Sequence, residues 1–178
     1  MEIRTKRLFF ALIPEPIIRA QIFNNISKCI GKEGQLTDVE NLHLTLAFLG
    51  NVENQQIACL FDIAERICTV RFDLKLDLVI RKLQSNMIWL TTDQSPVELI
   101  SLVDALRLEL QANGFRTDDR PFKAHITLAR KLRSSVVPFG IRPILWSIGA
   151  ISLIESKNDV NGLSYLQLRS WSLANNDT

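Results

Sequence analysis

Apolar residues recur along this chain with two periods, and the switches between them outline a series of strands and helices. Residues 8–13 form a continuous apolar run that reads as a buried strand. Pro14 and Pro16 close it and open a helix whose apolar positions, Ile17, Phe23, Ile26 and Ile30, lie close to helical spacing, with Gly31 suited to its end. A polar, glycine-containing loop is expected over residues 32–38, then a strand over 42–49 closed by Gly50. Asn54 suits the N-cap of a helix carrying Ile57, Leu60, Phe61, Ala64, Ile67 and Cys68. Residues 72–78 alternate as a half-buried strand should, and residues 87–90 supply its partner. Ser95-Pro96-Val97-Glu98 reads as a capping box with proline at the first helical position. The helix after it buries Leu99, Leu102, Val103, Leu106 and Leu110, and Gly114 stops it. Residues 124–129 form another strand, and 145–155 with 163–171 a hairpin turning at 158–162. The short connections favour antiparallel pairing, so the expected class is α+β, with helices packed outside antiparallel sheets.

Composition narrows the possibilities. At 178 residues, 47% of them hydrophobic, the chain can build a core and is expected to form one domain over residues 1–178. No run of eighteen apolar residues could span a membrane. The N-terminal apolar run is too short for a secretory signal, so a cytoplasmic protein is expected. Cys29, Cys59 and Cys68 contain no C-x-x-C pair and lie in amphipathic patterns, which points to buried free thiols. A net charge of +2 is small for a protein that coats nucleic acid. Six basic residues nevertheless lie between Arg116 and Arg133 (Arg116, Arg120, Lys123, Arg130, Lys131, Arg133), against Asp118 and Asp119. They read either as solvated surface or as a site for a small anion or an RNA terminus.

The chain's two histidines carry the chemical signal. They open near-identical pentads, His43-Leu44-Thr45-Leu46-Ala47 and His125-Ile126-Thr127-Leu128-Ala129, 82 residues apart. One H-x-T match means little, and a lone histidine beside a strand is usually structural. Two copies that use every histidine are far more specific, and they suggest an internal duplication with lobes interleaved in sequence. On a strand, residues two apart share a face. His43 and Thr45 therefore project together, as do His125 and Thr127, while the intervening leucines and isoleucine point into a core. Two such strands would gather two imidazoles and two hydroxyls around a tetrahedral anion. One imidazole can act as base while the other acts as acid near neutral pH. A metal site would need a third ligand, and no Cys, Asp or Glu accompanies either pentad at ligand spacing.

The sequence resembles the two-histidine phosphoesterases, specifically the bacterial and archaeal RNA 2′,3′-cyclic phosphodiesterases, historically called 2′-5′ RNA ligases. Residues 7–12 are similar to the family's first strand, 40–50 to its first signature and 120–130 to its second. Trp89, Leu90, Tyr165, Leu168 and Trp171 also fit the family pattern. The resemblance implies two pseudo-symmetric lobes, each an antiparallel sheet with helices outside, and an active-site cleft between them. It implies hydrolysis of a terminal 2′,3′-cyclic phosphate of RNA, or of a nucleoside, to a 2′-phosphate without metal or other cofactor; a monomer is expected. Run in reverse, the same reaction would join RNA ends by a 2′-5′ linkage. His43 would be the proton donor and His125 the acceptor. Thr45, Thr127 and Arg130 would bind phosphate, and Phe9 would contact the base. Ala124, Ile80, Lys82 and Asn86 depart from the family pattern. Rival readings are a related phosphodiesterase acting on 2′-5′ oligonucleotides or small cyclic phosphates, and a non-catalytic module that binds RNA ends.

Overall fold

The computed structural model describes residues 4–30, 34–132, 139–159 and 162–175. Among them are nine strands and three α-helices. The strands are β1 (Thr5–Leu12), β2 (Gln35–Leu36), β3 (Leu44–Glu53), β4 (Phe72–Lys82), β5 (Met87–Thr91), β6 (His125–Arg130), β7 (Phe139–Ile148), β8 (Ala150–Asp159) and β9 (Gly162–Ser172). The helices are α1 (Pro16–Ile30), α2 (Ile57–Arg66) and α3 (Val97–Ala112). All the strands join one sheet in the order β7-β4-β5-β6-β3-β1-β8-β9, with β2 paired to β6, and every ladder within it is antiparallel.

The centre of this sheet is narrow. β3 and β6 meet through the single pair Leu44↔Ile126. On one side lies β6-β5-β4-β7, drawn from a contiguous stretch of chain. On the other lies β3-β1-β8-β9, drawn from both ends of it. Leu44 and Ile126 are fully buried, as are Leu99, Leu102, Val103, Leu106 and Leu110 of α3. α3 packs on α2 and β3, and α2 reaches β9, where Phe61 meets Trp171 with ring centroids 5.8 Å apart. A smaller apolar cluster, Phe9, Ala11 and Ile154 with Ile13 and Tyr165, lies apart from this core.

Several expectations need correction. The buried face of α1 is Ile18 and Ile22, whereas Ile17 and Phe23 are exposed. α1 packs against β7 and the turn before β3, and that docking selects among adjacent apolar residues that periodicity cannot rank. The side chains of Ile26, Cys29 and Ile30, and the stop at Gly31, lie outside the described residues. Residues 145–155 are two strands split at Gly149. β7 begins earlier and contains Pro143, tolerated because, among the described residues, β7 pairs only with β4 at the sheet edge. Gly50 does not close β3; its φ of +71° lies beside a bulge and the strand continues to Glu53. Before α2, Glu53 and Gln56 form the capping box and Asn54 opens a short 3₁₀ turn. Pro96 is the N-cap of α3 and no side chain caps it. α2 ends at Arg66, so Cys68 falls beyond it and is exposed, while Cys59 is half-buried.

Candidate active site

The single pair Leu44↔Ile126 fixes the geometry of the two motifs. Continuing that antiparallel register by one residue each way sets His43 opposite Thr127 and Thr45 opposite His125. The four side chains lie on the face opposite the buried Leu44 and Ile126. His43 immediately precedes β3, and His125 opens β6.

The rings are anchored alike. His43 Nδ1 lies 2.7 Å from the Asn41 carbonyl oxygen, and His125 Nδ1 lies 2.7 Å from that of Lys123. A carbonyl can only accept, so each Nδ1–H donates and each Nε2 is left for chemistry. Burial is the main influence pushing both imidazoles below the usual histidine value, and each carbonyl bond opposes it. Arg130 and the His125 charge lower His43 further; Lys82 and Arg130 lower His125.

Their surroundings differ. His43 is boxed by Tyr165, edge-on at 4.8 Å, and by Phe9, tilted at 4.9 Å. Burial raises the Tyr165 phenol above its ordinary value, against Arg130 and Arg7, so it remains a hydroxyl at neutral pH. His125 instead stacks on Trp89, with centroids 3.7 Å apart and planes 19° apart. Phe9 is on the cleft face but only 3% exposed, packed on His43 and Tyr165. It packs against the His43 ring and lines the pocket beside it, so the base contact implied by the resemblance is left to a narrow exposed edge. Trp89 and Tyr165 had appeared in the sequence as pattern matches without a role, because alternation does not say which rings their strands face.

Matching bulges bring Arg130 into the site. Pairing with β1 skips Leu46, and pairing with β5 skips Leu128, the equivalent residue of the second motif. Consecutive residues on each strand, Leu46–Ala47 and Leu128–Ala129, are buried. The alternation therefore resets, and Phe48 and Arg130 return to the cleft face at an odd offset from their histidines. His43, Thr45, Phe9, Phe48 and Arg130 line a pocket of about 300 Å³. His43, Thr127, Arg130 and Lys131 line a larger one of about 810 Å³. The rest of the basic segment does not converge there. Arg120 pairs with Asp118, whose carboxyl it holds down at about 2, and Arg116 and Lys123 are exposed. Arg133 lies outside the described residues. Replacing Arg130 by alanine is expected to lower kcat/KM by roughly 10²-fold and to flatten its salt dependence. Kinetics across a salt series check this, and unchanged values would remove Arg130 from the site.

The departures from the family pattern have local explanations. Asn86 adopts a left-handed turn at φ 48° and accepts from Arg81. Ile80 pairs across from Trp89. Ala124 is buried, and its carbonyl accepts from the Thr91 hydroxyl at 2.6 Å. Among the described residues no group of three or more His, Cys, Asp or Glu side chains is arranged to hold a metal. No helix there is long and apolar enough to cross a membrane.

Two Nε2 atoms on adjoining strands, with hydroxyls opposite and one guanidinium acting on both, suit a small tetrahedral anion. The class defined by this fold and arrangement is the two-histidine phosphoesterases. A family model described as "LigT like Phosphoesterase" matches residues 14–80. The chain is 35% identical over 173 residues to the RNA 2′,3′-cyclic phosphodiesterase of Escherichia coli (strain K12), covering 94% of this chain and 97% of that protein. It is 32% identical over 134 residues to the RNA 2′,3′-cyclic phosphodiesterase of Thermotoga maritima, covering 70% and 69%. The crystal structure of E. coli LigT complexed with 3′-AMP matches with a TM-score of 0.87 at 34% identity, over 96% of this chain and 99% of that one. The chain belongs to the LigT-like phosphoesterase family.

Proposed function

We propose that this enzyme hydrolyses terminal 2′,3′-cyclic phosphates of RNA to 2′-phosphomonoesters, with His43 as proton donor and His125 as proton acceptor. The register around Leu44↔Ile126 carries the reading, because it offers two anchored imidazoles and two hydroxyls to one phosphate. Water attacks phosphorus in line, opposite the 3′-oxygen. His125 Nε2 takes its proton while His43 Nε2–H protonates the departing 3′-oxygen. Thr45, Thr127 and Arg130 hold the non-bridging oxygens as charge develops on them. Abundant water favours hydrolysis; reversal joins a cyclic end to a 5′-hydroxyl as a 2′-5′ linkage. The names of the E. coli and T. maritima relatives support the substrate, and the complex of E. coli LigT with 3′-AMP supports a nucleotide ligand.

The paired bulges and equivalent anchors also support one interleaved, bilobal domain that arose by duplication. A cytoplasmic setting belongs to the same reading and fits the free thiols of Cys59 and Cys68.

The test is incubation of purified protein with a nucleoside 2′,3′-cyclic phosphate, with and without EDTA, resolving the two monophosphates. The 2′-isomer is expected at the same rate in both. A 3′-product, or loss on chelation with recovery on a divalent ion, would overturn the reaction as written. Faster turnover of a 2′-5′-linked dinucleotide would move the reading to that substrate.

A further inference from the structure

The near-identical motifs give no chemical reason for the two histidines to differ, so any asymmetry must come from what surrounds them. The largest difference is on the His125 side. Lys82, the last residue of β4, projects its ammonium to 5.2 Å from the Trp89 ring centroid. Trp89 in turn stacks on His125 at 3.7 Å. The same indole thus contacts both the Lys82 ammonium and the His125 imidazole. Trp89 Nε1 is buried with no hydrogen-bond partner among the described residues.

We propose that Lys82, acting through Trp89, is a positioning residue that holds His125 in its neutral, base-ready form. Protonating His125 would put a second cation on the indole already occupied by Lys82, in a partly buried setting where like charges repel more strongly than in water. The other charged neighbours do not relieve that repulsion. Arg130 comes from the same strand and His43 from the residue before β3, and both are cationic or titrate to cations. β5 contributes Trp89 and Thr91 beside His125, neither charged. No carboxylate is among the described groups acting on His125, and the lowering of its pKa by Lys82 agrees with the geometry. Among the described residues His43 has no such cation–aromatic partner; its ring meets Tyr165 and Phe9.

This rests on the acid–base reading above for its catalytic consequence, but its physical content is testable without turnover. With two histidines in the chain, NMR of the imidazole Cε1–H groups gives two signals, and His43→Ala identifies the one from His125. Lys82→Met keeps an apolar stem over Trp89 and removes the charge; Lys82→Arg keeps the charge. The His125 midpoint should move to higher pH in Lys82→Met and stay near wild type in Lys82→Arg. The acid limb of kcat/KM should follow it, with about a threefold loss on that limb and little on the plateau in Lys82→Met. An unmoved His125 midpoint in Lys82→Met, or equal movement in both variants, would overturn the proposal. So would an acid limb that follows His43 instead. Wild-type protein inert toward cyclic phosphates would sink the functional reading, while the titration would still decide the role of Lys82.

Discussion

On a natural 2′,3′-cyclic phosphate, His43→Ala and His125→Ala are each expected to lower kcat/KM by about 10²–10⁴-fold. On an activated nitrophenyl phosphodiester that the wild type accepts, they should part company. A ribose 3′-alkoxide is strongly basic and needs a proton as it leaves. A nitrophenolate does not, so His43→Ala should recover much of its lost rate. His125→Ala should not, because water still needs a base. The measurement is the ratio of mutant to wild-type kcat/KM on the two substrates. Selective rescue of His125→Ala would reverse the roles. Equal rescue would mean that both rings act as hydrogen-bond donors to phosphate rather than as acid and base.

The second large effect is on stability. Leu44→Ala should destabilise the protein by about 2–5 kcal/mol, since the fully buried Leu44 side chain fills the joint between the two central strands. Leu145, 61% exposed on β7, supplies the comparison, and its alanine variant should stay within about 0.5 kcal/mol of wild type. Denaturant midpoints at unchanged slope measure both. Activity should also fall in Leu44→Ala under conditions where it remains folded, because the same residue sets the spacing of His43 from Thr127. A stability loss no larger than that of Leu145→Ala would mean that the joint does not depend on this contact.

Much of the architecture is legible in residue patterns, and the failures have physical causes. The stripe from Leu99 to Leu110 predicts the buried face of α3, because there one apolar face stands clear of its neighbours. In α1, Ile17 and Ile18 are adjacent and only docking against β7 selects Ile18. β7 is disguised by Gly140 and Pro143, which an edge strand can absorb. Both histidines and both threonines are legible because the two-residue period holds from His43 to Thr45 and from His125 to Thr127. It breaks at Leu46 and Leu128, so the approach of Arg130 follows from a bulge that counting residues in pairs does not foresee. Tyr165 is further out of reach: its contact with His43 spans most of the chain.

That distance has a consequence in time. The half of the sheet built from β4, β5, β6 and β7 uses one continuous stretch, and can form once that stretch has been synthesised. The half that holds His43 waits for β8 and β9. Until they emerge, β1 shows an unpaired edge along Leu8–Ala11, residues that the finished fold buries. The wall of Tyr165 against His43 is missing as well. A nascent chain can thus contain both histidines, and even the Leu44↔Ile126 contact, before the pocket around His43 is closed by Tyr165. A chain stalled short of that hairpin lacks the Tyr165 wall and presents an unpaired strand edge.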